Sequence, residues 1–385
     1  MKKYILVLNA GSATLKFKVF DYASLKEKVA GNFERIGPPH SFLVIGQRQW
    51  QFRKIKNYEQ ALRIVLKKLQ STDYGLQLEE IKAIGHRVVH GGEEFFEPIV
   101  MTTKVWQRIA KYNKLAPLHN PANLAVIKAC FKLFPGIKNV AVFDTGFYKD
   151  LKPEVFLYAL PLKYYRQYSI RRYGFHGISH GYVSKEVAKK LKKPLKELNL
   201  ITCHFGNGDS ITAIKKGKPI DTTMGFTPLE GLTMGTRSGD LDPSVPLYLI
   251  KELKMKPDQV LDLFNKKSGL LAISGFTSDM REILAASGYR VYDFKSIRKY
   301  TNMQKKRAKL ALSMFIYDIQ RYISAYAGLL GKVDAIVFSG GIGERSPVIR
   351  KLALENLKFI KKPKVLVIQT DEELEIAKEV KRLNK

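Results

Sequence analysis

The chain opens on an unbroken apolar run, Tyr4 to Leu8, and then changes rhythm, with Leu15, Phe17 and Val19 alternating against Lys16 and Lys18. An unbroken run suits a strand covered on both faces, whereas alternation suits a strand with one face in water. Further strand-like stretches over 28–36 and 40–46 complete an N-terminal meander. Residues 57–70, "NYEQALRIVLKKLQ", then repeat their apolar positions at helical spacing. A strand over 81–92 runs into Gly91 and Gly92. A helix over 120–134 follows, opened by Asn120 with Pro121 at its first position, and then a buried strand over 139–147.

A second pass of the same plan begins at Leu198. It predicts strands over 198–206 and 209–217, helices over 243–264 and 302–330, a strand over 333–341 and a C-terminal helix over 371–383. Each half starts with an apolar strand, a glycine turn carrying an asparagine, and a return strand, although no residue-by-residue repeat is present. Strands alternating with helices predict an α/β protein. A length of 385 residues exceeds one compact core. Two domains are therefore expected, 1–150 and 151–370, with the helix of 371–385 packing back on the first.

Composition narrows the class. With 45% hydrophobic and 26% charged residues the chain can bury sizeable cores. The apolar run behind the initial lysines is shorter than a secretory signal needs, and no stretch has the length of a membrane span, so a soluble cytoplasmic protein is expected. Cys130 and Cys203 sit in apolar surroundings without zinc-site spacing and read as buried structural thiols. The net charge of +31 invites a polyanion as partner. The basic residues are nonetheless spread along helices and no nucleic-acid motif accompanies them. They read as a solvated surface suited to attracting anionic substrates, with neither nucleic acid nor membrane as specific partner.

Three strand ends run into glycine turns: "NAGSATLK" at 9–16, "HFGNG" at 204–208 and "SGGIGERSP" at 339–347. Glycine lets backbone N–H groups approach an anion, and the third turn leads into a helix whose N-terminus favours phosphate. One such turn is as well read as a plain hairpin; three fit the walls of a nucleotide cleft between two domains. Arg87 lies on an apolar strand and Arg237 in a glycine loop. Each guanidinium fork suits a carboxylate or a phosphate, or else a salt bridge that anchors its own loop. Asp144 ends an apolar strand, a place where an acid must be paired, hydrogen-bonded or near a metal. His119, His176, His180 and His204 all stand close to glycine or proline, which favours anion contacts over a zinc site.

The blocks "LVLNAGSATLKFKVFD", "GHRVVHGG", "PLHNPANL", "VFDTGFY", "RRYGFHGISH", "HFGNGDSITAIKKGKPIDTTMGFTPLEGLTMGTRSGDLDP" and "FSGGIGERSP" resemble the acetate kinase (acetokinase) family in order and spacing, from about residue 4 to 380. The resemblance implies two ribonuclease-H-like domains of the actin-like ATPase type, a nucleotide cleft between them, and a homodimer. It implies reversible transfer of the ATP γ-phosphoryl group to acetate, with Mg2+ or Mn2+, giving ADP and acetyl phosphate. Propionate or butyrate as acceptor is the near alternative, and a non-catalytic nucleotide-binding or nucleic-acid-binding protein the distant one.

Carried onto this sequence, the resemblance places Asn9 and Glu372 at the metal and Ser12, Thr14 and Lys16 along the phosphates. Arg87 and Arg237 bracket the carboxylate and the moving phosphoryl group, and His176 hydrogen-bonds that group. Asp144 is the essential acid, read here as orienting an arginine or the metal shell, because a carboxylate acceptor is already ionised at neutral pH. His119 and His204 assist at the phosphates. Val89, Leu118, Phe175 and Pro228 wall a small acyl pocket. The nucleotide meets His204, Phe205, Gly206, Asn207 and Gly208, then Asp279, Met280 and Arg281, then Gly341, Ile342, Gly343, Glu344 and Arg345. The chain departs from the family pattern at Ala13 and Thr14, where hydroxyl residues with serine second are commoner, and at Arg345, where asparagine is common.

Overall fold

The computed structural model describes residues 2–384 apart from 72, 118, 292, 293 and 295. The chain divides into two units, Met1–Lys149 with Asp371–Lys385, and Asp150–Thr370. Among the described residues no helix is long and apolar enough to cross a membrane.

Among the described residues the first unit is built on eight strands: β1 (Tyr4–Ala10), β2 (Thr14–Asp21), β3 (Glu27–Glu34), β4 (Pro39–Ile45), β5 (Arg48–Lys54), β6 (Ile81–Val88), β7 (Ile99–Val100) and β8 (Lys138–Phe143). They lie in the order β5-β4-β3-β2-β1-β6-β8-β7. β1 to β5 form an antiparallel meander, while β1, β6 and β8 run parallel. Every residue of β1 is buried, as its unbroken apolar run demands. Leu6 and Leu8 join Leu15 and Phe17 in a core closed by Leu62, Val65 and Leu66 of the helix Tyr58–Leu69 and by Val126 and Cys130 of the helix Asn120–Leu133. The former helix starts where the Asn57 side chain accepts the Gln60 N–H, and the latter carries Pro121 in its first turn.

Val7 turns to the opposite face, toward the C-terminal helix Glu372–Leu383. There Gly85 of β6 is indispensable for close approach: a Cβ on it would lie 2.6 Å from Ile376 Cγ2 and 2.8 Å from Val380 Cγ2. Ile376, Ala377 and Val380 are fully buried. The helix Glu372–Leu383 is thus clamped to the central strands of the first unit.

Among its described residues the second unit has five strands: β9 (Leu200–Phe205), β10 (Asp209–Lys215), β11 (Lys218–Thr222), β12 (Ala335–Ser339) and β13 (Lys364–Val367), in the order β11-β10-β9-β12-β13. β10 is antiparallel to both neighbours, while β9, β12 and β13 are parallel. The long helix Asn302–Leu330 lays Phe315, Ile319 and Ile323 against Ile201, Cys203 and Phe205 of β9. Counted along the chain, β3-β2-β1-β6-β8 and β11-β10-β9-β12-β13 share one order, third-second-first-fourth-fifth, with the second strand antiparallel. Each unit is therefore a ribonuclease-H-like α/β domain, and the echo between the two halves is one of topology.

Two expectations need correction. The meander has a fifth strand, β5, signalled by Trp50 and Phe52 alternating with Gln49, Gln51 and Arg53. The single helix expected over 243–264 is two, Ser244–Lys251 and Pro257–Lys266, parted at Lys254 with its left-handed φ of 54°. Pro257 disfavours helical backbone at the residue before it, so the apolar pattern continues across the break while the helix does not.

Replacing Gly85 with valine should destabilise the protein by about 1–3 kcal/mol, because overpacking forces the C-terminal helix off β6. Urea unfolding measures this; an unchanged midpoint would show that the helix is not clamped there.

Candidate active site

Asn9, Arg87 and Asp144 stand at or just beyond the C-terminal ends of three adjacent parallel strands, β1, β6 and β8, where open α/β sheets place their ligands. The Arg87 side chain is 17% exposed and Asp144 is 1% exposed, so neither charge has water enough to stand alone. Arg87 donates Nε and Nη2 to the same oxygen, Asp144 Oδ2, the former at 3.1 Å. Its Nη1 donates to Asn9 Oδ1 at 3.2 Å, and Glu372 comes within 3.8 Å of Nε. Asn9 Nδ2 in turn donates to Glu373 Oε1 at 3.0 Å. Burial opposes the charge on Arg87, but Asp144 and then Glu372 outweigh it and hold the guanidinium firmly protonated. Burial pushes the Glu372 carboxyl up to about 7, with Arg87 pulling it down and Asp144 and Glu373 adding to the rise.

The spot is rich in carboxylates, and the buried Asp144 Oδ1 has no hydrogen-bond partner. An orphaned acid oxygen beside Asn9, Glu372 and Glu373 is the donor chemistry of a hard divalent cation. Among the described residues no group of three His, Cys, Asp or Glu could hold a metal by itself. Such a set suits a hard cation of the Mg2+ kind, which keeps waters as further ligands.

The helix Asn120–Leu133 ties this corner together. Asn123 accepts the Val89 N–H at 3.1 Å and donates to the Ala10 carbonyl at 2.8 Å, so one amide joins the ends of β6 and β1. Asn120 does likewise for His90, accepting its N–H at 3.0 Å and donating to its carbonyl at 2.8 Å. The Tyr58 hydroxyl donates to Gly11 O in the 9–16 turn. Val89 is buried, Thr14 half-buried, and Ser12 and Lys16 exposed. His119 sits at the head of the helix, and Leu118 lies outside the described residues.

The second unit gathers imidazoles. His176, with a left-handed φ of 55°, precedes the helix Gly177–Leu191 and stacks on His204 with ring centroids 4.4 Å apart. Ser210 Oγ lies 2.9 Å from His176 Nδ1 and 2.8 Å from His180 Nε2. A hydroxyl has one proton to give, so at least one of those two nitrogens donates. Burial, then the neighbouring His204, keeps His180 well below the usual imidazole range and hence neutral. His204 Nδ1 is held by Ser179 Oγ at 2.8 Å. A Cβ on Gly208 would lie 3.0 Å from Arg237 Nη1 and 3.3 Å from His176 Nε2, so glycine is what lets both side chains settle against the turn. Arg237 Nη1 also donates to the Pro228 carbonyl at 3.2 Å. Phe175 is buried beside His176 in sequence.

The remaining predicted contacts are dispersed among helix starts. Asp279 caps the helix Met280–Ala286 and pairs with Arg281 at 2.6 Å. Gly341, Ile342, Gly343, Glu344 and Arg345 lie in the short helix Gly340–Arg345 directly after β12. A Cβ on Gly341 would meet nothing within 4 Å outside its own helix backbone, whereas Glu344 Oε1 is engaged by the N–H groups of Gly340 and Thr370. Phe205 and Met280 turn their side chains into the hydrophobic core, so only their backbones could serve a ligand. Asn207 is exposed at the tip of its turn.

The acetokinase family model matches residues 4–379. The chain belongs to the acetokinase family. It is 44% identical to the acetate kinase of Caldicellulosiruptor saccharolyticus, over 98% of this chain and 99% of the relative. Among solved structures, acetate kinase from Porphyromonas gingivalis superposes with TM-score 0.88 at 38% identity and complete coverage of both chains. A propionate kinase from Francisella tularensis gives 0.89 at 36% identity, covering 99% of each chain.

In this acetokinase several residues of consequence escape a reading by motif. Glu373, Asn120 and Asn123 are among them, and the two asparagines do leave a trace: they are polar positions three apart on an otherwise apolar helix face. Glu230 left no such trace. It accepts Arg172 Nη2 at 2.6 Å and the Tyr158 hydroxyl, while Arg172 Nη1 donates to the Thr222 carbonyl at 2.9 Å. The network sets the loop whose Pro228 carbonyl receives Arg237.

Asn123→Ala should cost roughly 1–3 kcal/mol for each of the two buried backbone groups it strands. Equilibrium unfolding reads the loss; wild-type stability would mean that the amide bridge holds nothing.

Proposed function

We propose that the chain is an acetate kinase, catalysing reversible transfer of the ATP γ-phosphoryl group to acetate to give acetyl phosphate and ADP. The observation that carries this reading is kinship over the whole chain with acetate kinases at 44% identity. A carboxylate oxygen attacks the γ-phosphorus in line, a new P–O bond forms, and the bond to the bridging oxygen of ADP breaks. No proton moves, since acetate is ionised at neutral pH.

Positioning and charge stabilisation are then the protein's tasks. In this reading Arg237 and His176 serve the equatorial oxygens of the moving group, His176 through Nε2 because its Nδ1 is held by Ser210. Arg87 serves the acceptor carboxylate and the phosphoryl group, with Asp144 as its anchor. Asn9 and Glu372 would hold Mg2+ through water, with Asp144 in the surrounding shell. The ion supplies neutralisation of charge on the nucleotide phosphates. The turns at 9–16, 204–208 and 339–347 and the Asp279–Arg281 stretch take the nucleotide. Val89, Phe175 and Pro228 would meet the acyl group. A cytoplasmic homodimer belongs to the same reading on the strength of family membership.

The propionate kinase neighbour keeps a longer acyl chain in view, because one methylene is worth only about 1–3 kcal/mol in an apolar pocket. Trapping acyl phosphate with hydroxylamine, in parallel reactions with MgATP and acetate, propionate or butyrate, decides the matter. Acetate should give the highest kcat/KM; a higher value for propionate would move the assignment to propionate kinase, and no hydroxamate with any acid would overturn phosphotransfer. In the same assay Arg87→Ala and Arg237→Ala should each lower kcat by roughly 10³–10⁵, the scale of an arginine that stabilises a phosphoryl transition state. Near-normal turnover in both would reduce them to loop anchors.

A further inference from the structure

Asp209 begins β10 immediately after the Gly206–Gly208 turn, paired across the hairpin with Phe205. Its side chain is fully buried. Oδ1 accepts the Gly206 N–H at 2.8 Å, and the same N–H reaches the Gly208 carbonyl at 3.2 Å. Oδ2 is buried with no hydrogen-bond partner. The charged and titratable groups gathered about this turn are Arg237 and His176, both against Gly208, and His204 and His180 behind them, the former stacked on His176 and the latter joined to it through Ser210.

A permanent carboxylate in this position would be a buried anion with one oxygen unsatisfied, set behind a turn that serves phosphate. Burial penalises such a charge, and phosphate oxygens would be repelled by it. A neutral carboxyl group escapes both penalties and still accepts the Gly206 N–H through its carbonyl oxygen.

We propose that Asp209 is a positioning residue that acts in its neutral form, pinning the Gly206–Gly208 turn against His176 and Arg237 while leaving the Arg237 charge to the phosphoryl group. The role rests on the phosphotransfer reading of this half-site. In keeping with it, burial raises the Asp209 carboxyl to about 8, against the opposing pull of the Gly206 N–H and of Arg237. Above that pH an anion forms behind the turn, Arg237 is drawn to it, and the turn loses affinity for phosphate.

Two measurements on the full chain test this. In protein labelled with [4-13C]aspartate, the resonance that disappears in Asp209→Asn should titrate near pH 8; a midpoint in the ordinary carboxylate range, about 4, would overturn the proposal. The second is kcat/KM for MgATP as a function of pH. Raising the pH from about 7 to about 9 should lower the wild-type value roughly tenfold, the loss of the neutral fraction, while Asp209→Asn, which stays neutral, should show no such fall. Asp209→Ala cannot pin the turn and should raise the KM for MgATP at pH 7, whereas Asp209→Asn, which keeps an acceptor for the Gly206 N–H, should not. An alkaline fall shared equally by wild type and Asp209→Asn, or wild-type kinetics in Asp209→Ala, would each refute the role. A wild type without phosphotransfer activity would instead defeat the functional reading, and the carbon titration would still decide how Asp209 ionises.

Discussion

A guanidinium cannot shed its proton, so once Arg87 is placed on a buried strand the surrounding chain must bring acids to it. Asp144 comes from the end of β8 and Glu372 from the head of a helix hundreds of residues away in sequence, while Asn9 of β1 lends Arg87 an amide oxygen and is itself held by Glu373. That demand explains why the chain returns to its first domain at the end. It also explains Gly85, since the helix can deliver its glutamates only if Ile376 and Val380 lie flat on β6. Removing one member of such a buried set leaves the others as uncompensated charge, at a cost of about 3–5 kcal/mol. The fold and the chemistry of the first unit therefore depend on the same ion pair.

The second unit solves a different problem by different means. It gathers imidazoles, hydroxyls and one arginine, with the acid Asp209 buried behind the turn. Ser210 and Ser179 fix the Nδ1 atoms of His176 and His204, which orients their rings. One unit presents a carboxylate-rich corner suited to a cation, the other a donor-rich corner suited to phosphate oxygens.

Much of this was legible in the residues themselves. The α/β class, the meander, and Arg87 and Asp144 as ions on apolar strands follow from period and from the cost of buried charge. Glycine turns at strand ends marked the Gly208 turn on which His176 and Arg237 converge. Other features depend on long-range pairing, which pattern cannot carry. Glu373 looks like any acid in a helical first turn until Asn9 reaches it, and Glu230 is silent because its partners, Tyr158 and Arg172, lie far off in sequence. The unexpected β5 had a signal in Trp50 and Phe52, and the break before Pro257 had one in the proline itself.

Attack on phosphorus by the acceptor's own carboxylate oxygen is the claim on which the account turns, and 31P NMR of the protein with MgATP and [18O2]acetate examines it. Attack by the acceptor's own oxygen predicts acetyl phosphate whose phosphorus signal carries the isotope shift of one bridging 18O. Acetyl phosphate without that shift, or no acyl phosphate at all, would contradict it.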